Sequence, residues 1–533
     1  MEVNCIAFKE TGYFSQLICD YLDEKKELKP FYNRFPKLKN FKAQIEEKQA
    51  NFPQENRRIL ANALIKQYAG IAASKNTISN IKSLTNNNTF TIVTGHQLNL
   101  FTGPLYFLYK IISTINLTAQ LKEEYPDSSF VPVYWMATED HDFEEINYFN
   151  FEGKKVQWNT KSSGGVGRLA TDGLNAVFEV ITNTFGETDN AKYLKTLFEK
   201  AYLEHATLTE ATRFLANELF GQYGLVIVDG DDVDLKRLLI PYAKKDIFDQ
   251  LPHKIVSKSI DELASISDDY KIQVNPRAIN YFYLKDAIRE RIVEKDGTYF
   301  VNDTEIQFTA KELEEELESH PERFSPNVIA RPLYQEVILP NLCYIGGGGE
   351  LAYWLELKAY FKALSVTFPM LLLRNSALVI TEKQSEKVKK MDLTTVDLFL
   401  KQNQLINKKI RKISNIDIDF SPQRKLIDAQ FKDLYKLAKQ TDKSFLGAVK
   451  AQEVKQKKGL DALEKRLLKA QKRKLKDHVV RLTDLQNQLF PNQSLQERQL
   501  NFSELYLEYG TALVPFLMKS LKPLQNEFLV LRH

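Results

Sequence analysis

The chain has little cysteine. Cys5, Cys19 and Cys343 are the three thiols among 533 residues, and their spacing makes neither a metal-ligand pattern nor a disulfide framework. Also missing is any uninterrupted apolar run near eighteen residues, which excludes an ordinary membrane-crossing helix. The opening MEVNCIAFKETGYF lacks the basic start and apolar core of a secretory signal. A soluble protein of the reducing cytoplasm, without membrane contact, is the expectation. Charge of one sign is scarce too: 73 Lys+Arg against 69 Asp+Glu leave +4, which marks neither a nucleic-acid binder nor an acidic surface.

Core material is plentiful. A hydrophobic share of 43% with 11% aromatics describes a folded globular protein, and the length exceeds one core, giving roughly two to four structural units. Residues 1–85 read as helices interrupted by Pro30, Pro36 and Pro53.

The central stretch is Thr89 to Asn116. Phe90, Ile92 and Val93 make a short strand, Gly95-His96-Gln97 breaks it, and Pro104 opens a long apolar helix. Such a loop, at the carboxyl end of a buried parallel strand, lies where α/β sheets bind ligands. It carries Thr94, Gly95, His96, Gln97 and Asn99, side chains that hydrogen-bond and a glycine that admits a ligand to the backbone.

Phe130 to Trp135 reads as a second buried strand running into Glu139-Asp140-His141-Asp142-Phe143-Glu144-Glu145. Five carboxylates and one histidine in seven positions repel one another unless solvent, a cation or a positively charged ligand group compensates them. The alternative is an acidic helix N-terminus favoured by the macrodipole. Gly224 to Asp229 is a third strand ending in acids, and three strands with helices between them describe an open α/β sheet. The glycines at Ser163 to Arg168 match no phosphate-binding pattern and read as a mobile connection.

Between 241 and 330 short antiparallel strands are expected, with Asp296-Gly297 as a hairpin turn and a helix from Phe308 to Leu317. This insertion and one at about 150–215 interrupt a core of 86–380. The return brings Arg331 and Gln335, then a strand ending at Tyr344-Ile345, the glycines 346–349, Glu350 and a helix through Trp354. Amides of such a loop can face an anion. Val366 to Leu373 leads to Arg374, whose guanidinium could hold a carboxylate or phosphate. No metal motif and no complete nucleotide motif is present.

Residues 381–490 form a helical arm. Leu460, Leu463 and Leu467, then Leu482, Leu485 and Leu489, follow coiled-coil spacing, with Thr381 to Ile413 as the partner arm. Its lysines at 450–476 suit a solvated face or RNA phosphates. The end, 491–533, packs back on the core.

The segments TGHQLNLFTGPLYFLYK, PVYWMATEDHDFEEIN, GLVIVDGDD, FSPNVIARPLYQEVILP, YIGGGGELAYW and LQER resemble those of the bacillithiol biosynthesis cysteine-adding family, BshC, along nearly the whole chain. The resemblance implies a Rossmann-like parallel-sheet core with connecting-peptide insertions, a long antiparallel α-helical coiled coil and a homodimer. It implies ligation of L-cysteine to glucosaminyl malate. Gly348 stands where the family usually has proline, and Cys343 where it has a small residue, so Cys343 is a packing residue and not a nucleophile.

On that reading His96 and Gln97 stabilise charge on an activated acyl group. Glu139, Asp140 and Asp142 bind or deprotonate an ammonium, with His141 as an alternative base. Arg331 and Arg374 take carboxylates, and Gly346, Gly347, Gly349 and Glu350 the sugar or an anion. Thr94, Gly95, Asn99, Trp135, Gln335, Tyr344 and Trp354 complete the substrate-binding set. ATP or another nucleotide is a candidate activator. The competing readings are an RNA-binding protein using the basic arm and a structural coiled-coil dimer.

Overall fold

Thr89 to His96 form an eight-residue strand, β1, buried along its whole length because it has parallel neighbours on both sides. Those neighbours belong to a five-stranded sheet in a computed structural model that describes residues 2–285 and 287–532. The other strands are β2 (Ser129–Met136), β3 (Val226–Asp229), β4 (Asn341–Gly346) and β5 (Met370–Leu373). All pair in parallel, in the order β5-β4-β1-β2-β3. The chain therefore builds outward from β1 to β3, then returns to lay β4 on the other side of β1. The strand order reverses between β1 and β4, and that switch point opens a crevice beyond the carboxyl ends of the strands.

Gly95 and His96 continue β1 instead of breaking it, His96 pairing with Met136. The ladder with β2 runs on through Gly95 and His96, so glycine alone does not end the strand. Three helices frame the crevice: α1 (Tyr106–Glu124), α2 (Ala330–Ile338) and α3 (Gly348–Trp354). Cys343, on β4, is buried in the core, and burial pushes its thiol well above the usual range, consistent with packing alone.

The insertion is a five-stranded antiparallel sheet of Tyr281–Lys285, Ile288–Lys295, Thr298–Val301, Gln307–Thr309 and Phe324–Pro326. Asp296 and Gly297 take φ of 50° and 80°, as a two-residue hairpin turn requires. The following helix starts later than its apolar pattern suggests, at Ala310, because Thr309 and Glu312 form a capping box.

The Ser163 to Arg168 segment is not a loose connection. Val166 N–H donates to the Asp140 carbonyl at 2.7 Å and Gly167 N–H to the Thr138 carbonyl at 2.8 Å. A β-carbon on Gly167 would stand 2.6 Å from Thr138 Cβ, so glycine permits this backbone to press on the acidic loop.

Residues up to 378 and 496–531 form one unit and 379–495 a second. Within the second, α4 (Gln402–Ile413), α5 (Ser421–Ala438), α6 (Lys443–Lys474) and α7 (Lys476–Leu489) follow in order. Toward its start α6 packs on α5 through Phe431, Ala438 and Val449, while Leu468 near its end and Leu482 on α7 pack on Leu405, Ile406 and Ile410 of α4, the last of the shorter helices into which the Thr381 to Ile413 stretch breaks. Pro422 in the first turn of α5 and Asp442 capping α6 define this hairpin. Part of the arm's positive charge is answered internally, as Lys457 meets both Asp428 and Glu453. Among the described residues no helix is long and apolar enough to cross a membrane.

Candidate active site

The carboxyl ends of β1, β2 and β4 open into a cavity of about 580 Å³, a size that suits a small-molecule site. Gly95, His96, Trp135, Tyr344 and Glu350 line its sheet side, and Glu139, Asp140, His141 and Asp142 line the rim after β2. Phe282, Arg277, Arg289 and Arg291 face them from the insertion, with Arg331 from α2. The histidine loop and the acidic loop thus share one cavity.

Its floor is a chain of hydrogen bonds across the switch point. Lys110, buried on α1, donates to the Gly95 carbonyl at 2.6 Å and pairs with Glu350 Oε1 at 2.7 Å. The Tyr344 hydroxyl donates to Glu350 Oε2 at 2.6 Å, and Gly347 N–H to Oε1 at 3.2 Å. Burial opposes ionisation of Glu350, but Lys110 and these donors outweigh it and hold the carboxyl below its usual value. With both oxygens engaged, Glu350 anchors the glycine loop inward and the loop amide serves it. Gly346, Gly347 and Gly349 lie outside the cavity lining. A β-carbon on Gly346 would stand 2.9 Å from the Tyr344 ring, so that glycine is needed for packing.

His96 is buried against Tyr106 and Phe107. Desolvation first, then the charges of Lys110 and Arg374, keep its pKa well below the ordinary imidazole value despite a bond to the Thr102 backbone. It is neutral at pH 7, and its Nε2 has no hydrogen-bond partner among the described residues. Gln97 is committed, donating to Asp140 Oδ2 and Glu145 Oε2, both at 3.0 Å, so it braces the acidic loop.

The acids divide by environment. Glu139 meets Lys236 at 2.5 Å, and Lys236 also faces Asp231, so this carboxylate is already compensated. Burial works against the Asp140 charge, but hydrogen bonds from His141 and Gln97 and the Arg289 charge hold its carboxyl well below the usual range. Asp142 is exposed, and desolvation together with Asp140 raises its pKa. That combination makes Asp142 the acid best suited to receive a proton. Arg289 Nη1 lies 2.6 Å from His141 Nδ1; a guanidinium only donates, so Nδ1 accepts and His141 has no free lone pair there to act as the alternative base. Asp140, His141 and Asp142 present ligand atoms within 4.8 Å of one another.

The arginines differ likewise. Arg374 is buried in a 2.7 Å ion pair with Glu497, the glutamate of LQER, and does not line the cavity; its charge is answered within the protein. Arg331 donates to Gln335 at 3.1 Å and to the Tyr353 hydroxyl at 3.4 Å. Its guanidinium stands 6.0 Å from the Trp135 ring and 5.9 Å from the Tyr344 ring. Arg289 spans from His141 to Ser325 Oγ at 3.2 Å. Neither arginine has a carboxylate within 4 Å among the described residues, an arrangement suited to an anionic ligand.

Other residues chosen from the sequence stand behind the wall. Thr94 donates to the Ile345 carbonyl at 2.8 Å, Asn99 to the Glu145 carbonyl at 3.1 Å, and Gln335 to Glu336. Trp354 stacks under Tyr344 with ring centres 4.6 Å apart. They shape the site without lining it. The sequence reading passed over Lys110, Tyr106, Tyr353, Arg277, Arg289 and Arg291, all of which line the cavity. Lys110 alone carried a signal, as a lysine inside an apolar helix.

Two family models account for the chain. One, described as "Bacillithiol biosynthesis BshC, N-terminal Rossmann-like domain", matches residues 1–375, and the other, "Bacillithiol biosynthesis BshC, C-terminal coiled-coil domain", matches 377–533. A protein of Christiangramia forsetii described as "Putative cysteine ligase BshC" is 60% identical over 535 residues, 100% of this chain and 99% of its own. One of Flavobacterium johnsoniae with the same description is 60% identical over 99% of both chains. A Bacillus anthracis relative, described alike, is 28% identical over 97% of both.

Proposed function

The chain belongs to the bacillithiol biosynthesis BshC family, and from that premise we propose that it is a cysteine ligase, joining L-cysteine to the amine of glucosaminyl malate in the last step of that pathway. The observation that carries this reading is a cavity lined by both charges: Arg331 and Arg289, with no ion pair within 4 Å among the described residues, share it with the exposed Asp142, Arg289 standing at His141 on the acidic rim. Each substrate bears carboxylate and ammonium together, and such a cavity receives both charges.

Arg331 and Arg289 hold carboxylates, and Asp142 takes a proton from the amino-sugar ammonium. The neutral amine attacks the cysteine carboxyl carbon; a C–N bond forms and a C–O bond breaks. Oxygen must leave with an activating group, since a bare carboxylate does not acylate an amine. ATP or another nucleotide is the proposed activator, and Arg277 and Arg291 at the cavity wall, which make no ion pair among the described residues, are suited to its phosphates. His96 acts as a neutral hydrogen-bonding group beside the reacting carbonyl, not as an imidazolium.

The arm is proposed as a homodimer contact through Leu426, Leu437 and Leu463, exposed by 67%, 57% and 53%. The test of the activity is incubation with L-cysteine and glucosaminyl malate, with and without ATP, followed by mass detection of the thiol. Product that requires both substrates supports the reading; its absence with both substrates and ATP present overturns it.

A further inference from the structure

Lys110 is a costly residue to bury. Its side chain is 3% exposed, inside a helix whose neighbouring side chains, Tyr109, Ile111 and Ile112, are wholly buried, and an ammonium there must be matched by charge and hydrogen bonds. Both partners lie at the switch point: the Gly95 carbonyl on β1 and Glu350 on the glycine loop after β4. Three separate elements, α1, β1 and the start of α3, thus converge on one nitrogen. The residue after Gly95 is His96, whose ring packs on Tyr106 and Phe107, one helical turn before Lys110.

We propose that Lys110 is the positioning residue of this site: its ammonium locks the end of β1 to the glycine loop and presents a positive charge to His96. A carbonyl at the last turn of a strand is otherwise free to tilt, and a shift of about 1 Å at a reacting group costs on the order of a hundredfold in rate. The charge also adds to the burial that keeps the imidazole neutral. The other groups facing His96 are Arg374, itself paired with Glu497, the Tyr106 ring and the Thr102 backbone. Among these, Lys110 is the cation whose counter-ion, Glu350, belongs to the cavity lining.

The kinetic part of this inference rests on the ligase reading; the electrostatic part does not. In full-length protein labelled with 13C-histidine, the His96 resonance is identified by its loss in His96→Asn and titrated in wild type and in Lys110→Met. The midpoint moves to higher pH in Lys110→Met, because a charge opposing protonation is gone, while Lys110→Arg keeps it low. In ligation assays Lys110→Met loses on the order of a hundredfold in kcat with KM near wild type. If methionine leaves the Gly95 carbonyl unpaired and the chain unfolded, Lys110→Gln, which retains a donor, replaces it. An unmoved His96 midpoint, or a wild-type kcat, overturns the proposal. Wild-type protein that makes no product while the midpoint still moves overturns the ligase reading instead.

Discussion

Gly95 and Tyr344 meet across the switch point so closely that a β-carbon on Gly95 would lie 3.3 Å from the Tyr344 hydroxyl and 4.0 Å from Arg331 Nη1. The two strands that bracket the crevice are registered there by the absence of a side chain. Gly95→Ala is therefore expected to push the Tyr344 hydroxyl by a few tenths of an ångström, while Arg331 lies at ordinary contact distance. The fold tolerates this and the site does not: kcat/KM falls on the order of tenfold or more, with an unfolding midpoint close to wild type. Steady-state kinetics beside thermal unfolding separates the two effects.

Arg289 carries the insertion's contribution. Arg289→Met keeps an unbranched apolar stem and removes the guanidinium, which stacks over the Phe282 ring 4.1 Å from its centroid. Loss of a charged hydrogen bond to substrate costs about 1.5–3 kcal/mol, so KM for glucosaminyl malate rises by about one to two orders of magnitude. Retention of the wild-type KM would take Arg289 out of substrate recognition.

Arg374 is a structural residue, and its variants report on stability. Arg374→Met strands Glu497 without its cation, a loss of about 3–5 kcal/mol for a broken buried pair, seen as a lower denaturation midpoint. Arg374→Met with Glu497→Met recovers most of that loss, because two apolar groups replace two charges. A double variant no more stable than the single one would show that the pair is not the unit.

Stability should also fall as pH rises toward 8. Burial pushes the Glu356 carboxyl from 4.5 up to about 8, against hydrogen bonds from the Gln273 and Val274 backbone, and pushes Asp246 up to about 7. Between pH 4.5 and 8 the folded chain binds the more protons, so its stability declines with rising pH across that window. Glu356→Gln keeps an acceptor for the backbone and removes the titration. Its melting temperature should exceed wild type at pH 8 and match it near pH 5. Equal pH dependence in both proteins would contradict the assignment.

Much of the sheet was legible because buried parallel strands are written as short apolar runs ending in polar residues, as at Val133-Tyr134-Trp135 and Leu342-Cys343-Tyr344-Ile345. The order of the strands, and so the place of the crevice, is not local information. For the same reason Glu350 read as a ligand group: nothing near it in sequence announces Lys110, which fills its coordination from 240 positions upstream. Arg374 and Glu497 each looked unpaired until the fold joined them. Arg289 was hidden in a strand whose alternation reports burial and not which wall of which cavity it meets. The arm's leucines gave the coiled-coil period but not its division, in which α5 takes the start of α6 and α4 takes its end together with α7.

The central claim is that the crevice between β1 and β4 recognises an anionic amino-sugar acceptor through Arg331. Calorimetric titration of glucosaminyl malate into wild-type and Arg331→Met protein tests it without needing turnover. Saturable binding by wild type, weakened at least tenfold by a variant that remains folded, is the predicted result. Equal affinity in the two proteins would contradict it.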